Sequence, residues 1–215
     1  RLKGITTGSL PTFIDMGSNF ATPEINEDNV IDQMVSNGLS VTFMGDSTWT
    51  ELFPKRFKRK YAYPSFNIHD LDTIDNEILK HLPSELKKGD WDVMIAHFLG
   101  IDHCGHKYGP LHPEMSRKLS EMNQIIEKFI ANIDDDTVLI VMGDHGMTYT
   151  GDHGGASNDE IEALLFAYSK KAFTSSNYDG NANFIQQIDF TSTLATLLGI
   201  PIPFSNLGTM SLQLL

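Results

Sequence analysis

Two copies of one tetrapeptide, Gly143-Asp144-His145-Gly146 and Gly151-Asp152-His153-Gly154, lie close together in the chain. Each joins a hard carboxylate oxygen to an imidazole, a donor set that suits zinc. The flanking glycines permit tight turns and a close approach of backbone to ligand. The plainer alternative for either pair is a turn whose Asp caps a helix and whose His faces water. A second cluster, Asp102-His103-Cys104-Gly105-His106, crowds a carboxylate and two imidazoles into five positions. Within it, Asp102 and His106 have the best spacing to converge on one ion from a loop, and Cys104 reads as a small core residue. A third cluster, Thr6-Thr7-Gly8-Ser9, is rich in hydroxyls. A hydroxyl ahead of a helix is a simple N-cap, or a nucleophile where free N–H groups stabilise phosphate. From these residues alone capping is preferred, and only a partner metal site overturns it.

The elements that must hold these residues follow from periodicity. Val138–Met142 is short, β-branched and apolar on both alternations, which predicts a strand buried on both faces of a parallel sheet. Asp144 and His145 then fall at its carboxyl end, where open α/β sheets bind ligands. Asp92–Leu99 is a second strand of this kind, leading into the Asp102 cluster, with His97 read as a hydrogen-bonded core residue. Residues 27–37 have helical spacing and stop at Gly38, and a strand follows over Leu39–Met44. Beyond it, Asp46 is read as capping and Trp49 as packing. Further helices are predicted over 70–82, 113–133 and from about Asp189 to Leu198. In the second, Met115, Leu119, Met122, Ile126, Phe129 and Ile133 form the apolar stripe and Lys118 lies off it. In the third, Leu194, Leu197 and Leu198 face inward, and Gly199 and Pro201 end the helix. Residues 161–168 return to the sheet, 52–66 read as an irregular insertion, 134–136 as a solvated turn and 169–183 as an exposed loop. This alternation predicts an α/β fold, a mostly parallel sheet sandwiched between helices.

At 215 residues with 40% hydrophobic side chains, the chain suits one domain or a large part of one. A net charge of −12 argues against binding nucleic acid through its phosphates. It leaves a phosphate substrate open where metal ions supply positive charge. The basic run Lys55–Lys60 reads as a solvated loop, and the one cysteine allows no internal disulfide. No run of 18 apolar residues is present. The opening Arg1-Leu-Lys-Gly4, without a leading strand, reads as entry into a domain already under way.

Four clusters are now in place: Thr6–Ser9, Asp102 with His106, Asp144-His145-Gly146, and His153-Gly154. In this order and at these separations they resemble the alkaline phosphatase superfamily, in its phosphodiesterase-like branch with a threonine nucleophile. The similarity is closer still to the GPI ethanolamine phosphate transferases. The stretches 6–20, 43–46, 49–54, 97–106 and 198–208 look like the branch that modifies the third mannose. The resemblance runs along nearly the whole chain and implies an alkaline-phosphatase-like fold.

What that resemblance implies is specific. Thr7 is the nucleophile and a metal ligand; Asp102, His106 and His153 hold one zinc; Asp144 and His145 hold a second beside Thr7. Thr7 attacks phosphatidylethanolamine, and a mannose hydroxyl of the GPI precursor glycolipid captures the phosphoethanolamine. The implied setting is the lumenal face of the endoplasmic reticulum membrane, with a small membrane-protein subunit as partner. The family completes its second zinc site with an Asp on a strand upstream of the nucleophile, and the chain begins after that point. Residues 1–215 are therefore expected to be a single partial catalytic domain lacking its first strand, with an exposed sheet edge, from a longer membrane protein. The isolated piece is expected to be inactive or nearly so. Two alternatives remain: a metal-dependent phosphodiesterase or phosphatase that gives the intermediate to water, and a catalytically silent lipid-binding domain.

Overall fold

A computed structural model describes residues 1–10, 24–65, 67–171 and 184–211. In chain order its elements are α1 (Leu2–Thr7), α2 (Val30–Ser36), β1 (Val41–Asp46), α3 (Thr48–Leu52), β2 (Arg59–Tyr63), α4 (Thr73–Lys88) and β3 (Val93–His97). They continue with α5 (Gly100–Tyr108), α6 (Pro113–Asn132), β4 (Val138–Met142), α7 (Asn158–Ile161), β5 (Leu165–Ser169) and α8 (Gln187–Leu198). Three strands form a parallel sheet in the order β2-β1-β3, with Met44 opposite both Tyr61 and Ala96.

Central β1 is buried along its whole length. Its alternate side chains reach opposite faces, and a parallel sheet needs cover on both. Val41 and Phe43 pack with Val30, Ile31 and Met34 of α2 and Trp49 and Leu52 of α3. Met44, on the other face, packs with Ile74, Ile78 and Leu82 of α4. The result is a three-layer α/β/α arrangement. Phe43 stacks on both Trp49 and Phe57 at centroid distances of 5.5 and 5.1 Å. Truncating so buried an aromatic typically costs about 3–5 kcal/mol.

The α2 helix lies within the predicted 27–37 stretch and starts only at Val30, after an Asn29 cap. Asn29 Oδ1 accepts from Asp32 N at 2.9 Å, and the chain leaves through Gly38 at a φ of 83°. Other elements differ from the sequence reading. Residues 52–66 contain β2, whose charged residues hide its strand pattern. Arg59 Nε lies 2.7 Å from Glu85 Oε2, and the Tyr61 hydroxyl donates to Glu85 Oε1 at 2.9 Å. The basic run is thus part loop and part sheet edge. Residues 55–58 form an irregular stretch with Lys55 and Lys58 exposed, as expected, while Arg59 and Lys60 open β2, and Arg56 is bonded to Asp32. Helix α4 runs on through Pro83 to Lys88 and ends at Gly89, which adopts a left-handed conformation.

Strand β4 does not join the parallel sheet by direct pairing. It forms an antiparallel ladder with β5, Met142 opposite Leu165 and Val138 opposite Ser169, and is half-buried rather than buried on both faces. The chain between them turns back at the same end of the strand, so no crossover intervenes. In α6 the buried stripe takes in Lys118, while Leu119 is 51% exposed. In α8 the fully buried residues are Thr191, Ser192, Thr193 and Ala195; Leu194 and Leu198 pack against the core as expected, and Leu197 alone of the three leucines points outward. The hydroxyls are buried beside those leucines because they bond to neighbouring carbonyls: Thr191 Oγ1 donates to Ile5 O at 2.6 Å and Ser192 Oγ to Thr209 O at 2.8 Å. Asp134-Asp135-Asp136 is a solvated turn, with Asp134 Oδ1 accepting from Asp136 N and Thr137 Oγ1. The loop expected over 169–183 lies largely outside the described residues.

Candidate metal centre

Asp102 and His106 lie on helix α5 rather than on a loop. Their i, i+4 spacing puts both side chains on one face of that helix. His106 Nε2 is 3.5 Å from Asp102 Oδ2. His153, from the loop after β4, brings its Nε2 to 3.0 Å from His106 Nε2 and 3.4 Å from Asp102 Oδ1. One donor atom from each of the three lies within 4.8 Å of the others.

His145 stacks on His153 at a centroid distance of 3.9 Å. Its Nε2 lies between two carboxylates, 3.8 Å from Asp102 Oδ1 and 3.7 Å from Asp144 Oδ1. Its Nδ1 is 2.9 Å from Gly146 O. A carbonyl only accepts, so Nδ1 carries the proton of this bond, and Nε2 is the ring nitrogen left available to a cation between the carboxylates. A backbone partner of this kind is the usual support of a metal-binding histidine.

Close packing of α5 against the loop depends on two glycines. A Cβ on Gly151, whose φ is 86°, would stand 2.3 Å from Gly105 O, and one on Gly105 would stand 1.9 Å from Met147 Sδ. At Gly151 a side chain would press on the α5 backbone, whereas at Gly105 it would displace the tip of Met147. Behind the loop, Glu160 accepts from Gly155 N at 2.7 Å and from Ser157 N at 3.2 Å. Gln187 Nε2 donates to Asp144 O at 2.5 Å. Gly105, Gln187 and Glu160 carry no signal in the sequence that marks them as supports of this site.

The donor set fits a divalent cation. Asp102 Oδ1 is buried and has no hydrogen-bond partner, although it faces imidazole nitrogens. An orphaned buried carboxylate oxygen is costly unless a cation or proton meets it. Burial and the neighbouring His145 hold the His153 imidazole below its ordinary range, against the pull of Asp102, which favours the neutral, ligating form.

The structure therefore brings together Asp102, His106, His153, His145 and Asp144. It does not bring Thr7 to them by any described bond. Thr7 closes α1 instead of preceding a helix, and is fully buried. Its Oγ1 donates to Lys3 O at 2.7 Å, lies 2.7 Å from Ser9 Oγ and accepts from Ser9 N at 3.1 Å. Thr6 bonds back to Leu2 O. Asp152 faces solvent and accepts from Thr150 Oγ1. The structural readings of other residues hold: Asp46 accepts from Thr48 and Ser65, His97 Nδ1 accepts from Trp49 Nε1 at 3.1 Å, and Cys104 is buried.

The fold and this arrangement define a class. A protein of the alkaline phosphatase superfamily from Vibrio parahaemolyticus superposes with a TM-score of 0.64 at 16% identity, over 97% of this chain and 56% of that one. The chain belongs to the type I phosphodiesterase / nucleotide pyrophosphatase family, whose model matches residues 9–184. Within that class it is 55% identical over 214 residues to the human GPI ethanolamine phosphate transferase 3, catalytic subunit, covering 100% of this chain and 20% of that protein. GPI ethanolamine phosphate transferase 3 of Saccharomyces cerevisiae is 48% identical over 220 residues, covering 97% of this chain and 22% of that protein. The chain thus spans about a fifth of the length of these curated relatives. Among the described residues no helix is long and apolar enough to cross a membrane.

Proposed function

We propose that residues 1–215 form part of one catalytic domain that transfers phosphoethanolamine from phosphatidylethanolamine to a mannose hydroxyl of the GPI precursor. The observation that carries this reading is the convergence of Asp102, His106 and His153 around a carboxylate oxygen that lacks a partner. The identity to the human and yeast transferases supports the choice of substrates, and with it the lumenal face of the endoplasmic reticulum membrane as the setting and a small membrane-protein subunit as partner.

In this reading Asp102, His106 and His153 hold one zinc, and Asp144 and His145 hold a second with Thr7 as nucleophile. Zinc bound at these residues acts as a Lewis acid on phosphoryl oxygens and lowers the pKa of a bound hydroxyl. Thr7 Oγ1 forms a bond to phosphorus, the bond from phosphorus to the diacylglycerol oxygen breaks, and the proton lost by Thr7 is balanced by one gained by that oxygen. The mannose hydroxyl then forms its bond to phosphorus, the bond to Thr7 breaks, and Thr7 regains a proton. The Ser9 N–H already donates to Thr7 Oγ1, and that bond stabilises the oxygen in its deprotonated form. Gly146 O holds the His145 tautomer throughout.

The test uses the full-length protein, phosphatidylethanolamine labelled in its headgroup and a mannose acceptor, with wild type beside Thr7→Ala. Label on mannose that is lost in Thr7→Ala is the expected result. Label released only into water overturns transfer in favour of hydrolysis. Transfer that survives in Thr7→Ala removes the nucleophile assignment and points to a silent lipid-binding role for this part of the chain.

A further inference from the structure

Lys118 of α6 is 1% exposed, a rare state for an ammonium group. Its Nζ lies 2.9 Å from Asp75 Oδ2 of α4, and Asp75 is itself 2% exposed. Asp72 Oδ1 at 3.1 Å and Glu121 Oε2 at 3.0 Å complete the partners for the three ammonium protons. Burial alone would lower the Lys118 pKa, but Asp75, Glu121 and Asp72 hold it above the ordinary value, so the group stays charged.

The other oxygen of Asp75 points elsewhere. Oδ1 accepts from Leu99 N at 3.0 Å and Gly100 N at 3.2 Å, the backbone at which α5 begins. The residue at the N-cap of α5, Leu99, offers no side-chain cap, so a carboxylate from another helix does that work. The fit is tight. A Cβ on Gly100 would stand 2.2 Å from Asp75 Oδ2, 2.3 Å from Lys118 Cε and 2.5 Å from Leu71 O. Asp102 and His106 follow on the same short helix.

We propose that Asp75 and Lys118 are positioning residues for the metal centre: Lys118 locks the Asp75 carboxylate, which fixes the first turn of α5 and thereby the angle at which Asp102 and His106 meet His153. The inference rests on the metal-centre reading and extends it to a buried pair that supplies no ligand. A purely structural pair would lower stability equally with and without metal and leave metal affinity unchanged.

The probe is Co²⁺, followed by its visible absorption in the full chain, with thermal unfolding of each variant in metal-free buffer. The main variant is the double substitution Asp75→Asn with Lys118→Met, which leaves no unpaired charge; neutral replacement of a buried ion pair is often tolerated. The amide oxygen introduced by Asp75→Asn still accepts from Leu99 and Gly100, but the charge and the lock are gone. The expected result is a folded protein whose Co²⁺ affinity falls by about tenfold, the low end for loss of an outer partner, with an altered absorption band. Asp75→Asn alone is the second variant and is expected to weaken Co²⁺ at least as much. Wild-type affinity in whichever of these folds overturns the proposal, whatever its melting temperature. His106→Ala separates the two readings. If it leaves Co²⁺ affinity unchanged, the metal centre itself is wrong; if it abolishes binding while the double variant binds normally, only the positioning role fails.

Discussion

Gly143-Asp144-His145-Gly146 and Gly151-Asp152-His153-Gly154 are the same four residues in different mechanical settings. The first emerges from the end of β4, and its backbone is tied on several sides: Gly143 N to Leu164 O, Gly146 N to Glu160 O, and Asp144 O to Gln187. Both its Asp and its His face the centre. The second sits on a turn closed by its own residues, Thr148 N to Asp152 O and Asp152 N to Thr148 Oγ1. Its Asp is used up in that turn and only its His reaches Asp102. The bend just past β4 leaves Asp144 and His145 free to face one site, whereas the turn at 148–152 takes up Asp152 in its own bonds.

The largest effect expected from this difference is on metal content. His153→Ala should release bound zinc from the purified chain, with affinity down by more than about 100-fold, since even loss of an outer partner costs about 10–100-fold. Asp152→Asn should leave zinc content unchanged. Elemental analysis after dialysis checks both, and an Asp152 variant that loses its metal would erase the asymmetry between the tetrapeptides. Next is Gly151→Ala, which forces a side chain at a φ of 86° against Gly105 O. Strain of this type costs roughly 1–3 kcal/mol, measurable by urea unfolding, and metal affinity should fall with it. Gly154→Ala, at a φ of 106° but with open space around it, should lose stability alone and spare the metal.

A smaller effect is expected in acid. Bonds from Ser157 and from the Gly155 and Ser157 amides hold the Glu160 carboxyl below its ordinary value of 4.5. The folded state thus binds this proton less readily than the unfolded chain, so the stability it contributes is present above pH 4.5 and is lost as pH falls through the folded value. Glu160→Gln should flatten that part of the stability profile, read by thermal unfolding across the acid range. An unchanged acid slope would mean that the loop behind His153 is anchored by something else. The smallest effect is Asp152→Ala on stability, about 0.5–1.5 kcal/mol for one turn hydrogen bond.

Much of the site was legible in the sequence, because ligand types are rare and cluster at strand ends. Asp102, His106, Asp144, His145 and His153 all stand out by type and spacing, and the fold gathers them into one place. Three features were hidden for physical reasons. Strand β2 is hidden because its polar residues Arg59 and Tyr61 are half-buried through bonds to the buried Glu85, so its pattern reads as polar. Lys118 was placed on the wet side of α6 because hydropathy cannot anticipate a carboxylate arriving from α4. The burial of Thr191, Ser192 and Thr193 beside Leu194 and Leu198 on α8 is hidden because their hydroxyls find carbonyls on α1 and partners in the 209–211 segment.

What the sequence alone determined is therefore local and chemical: which residues can ligate, where glycines let the chain turn, and that strands alternate with helices. Hydrophobic period and side-chain chemistry act within a few residues of one another, so they can be read along the chain. Only the tertiary structure decided that Asp102 and His106 ride on a helix, that β4 pairs antiparallel with β5, that Thr7 ends a helix, and that Asp75 caps α5 from a distance. The β4–β5 pairing and the Asp75 cap depend on partners far apart in sequence, where the cost of leaving a buried polar group unpaired selects the pairing.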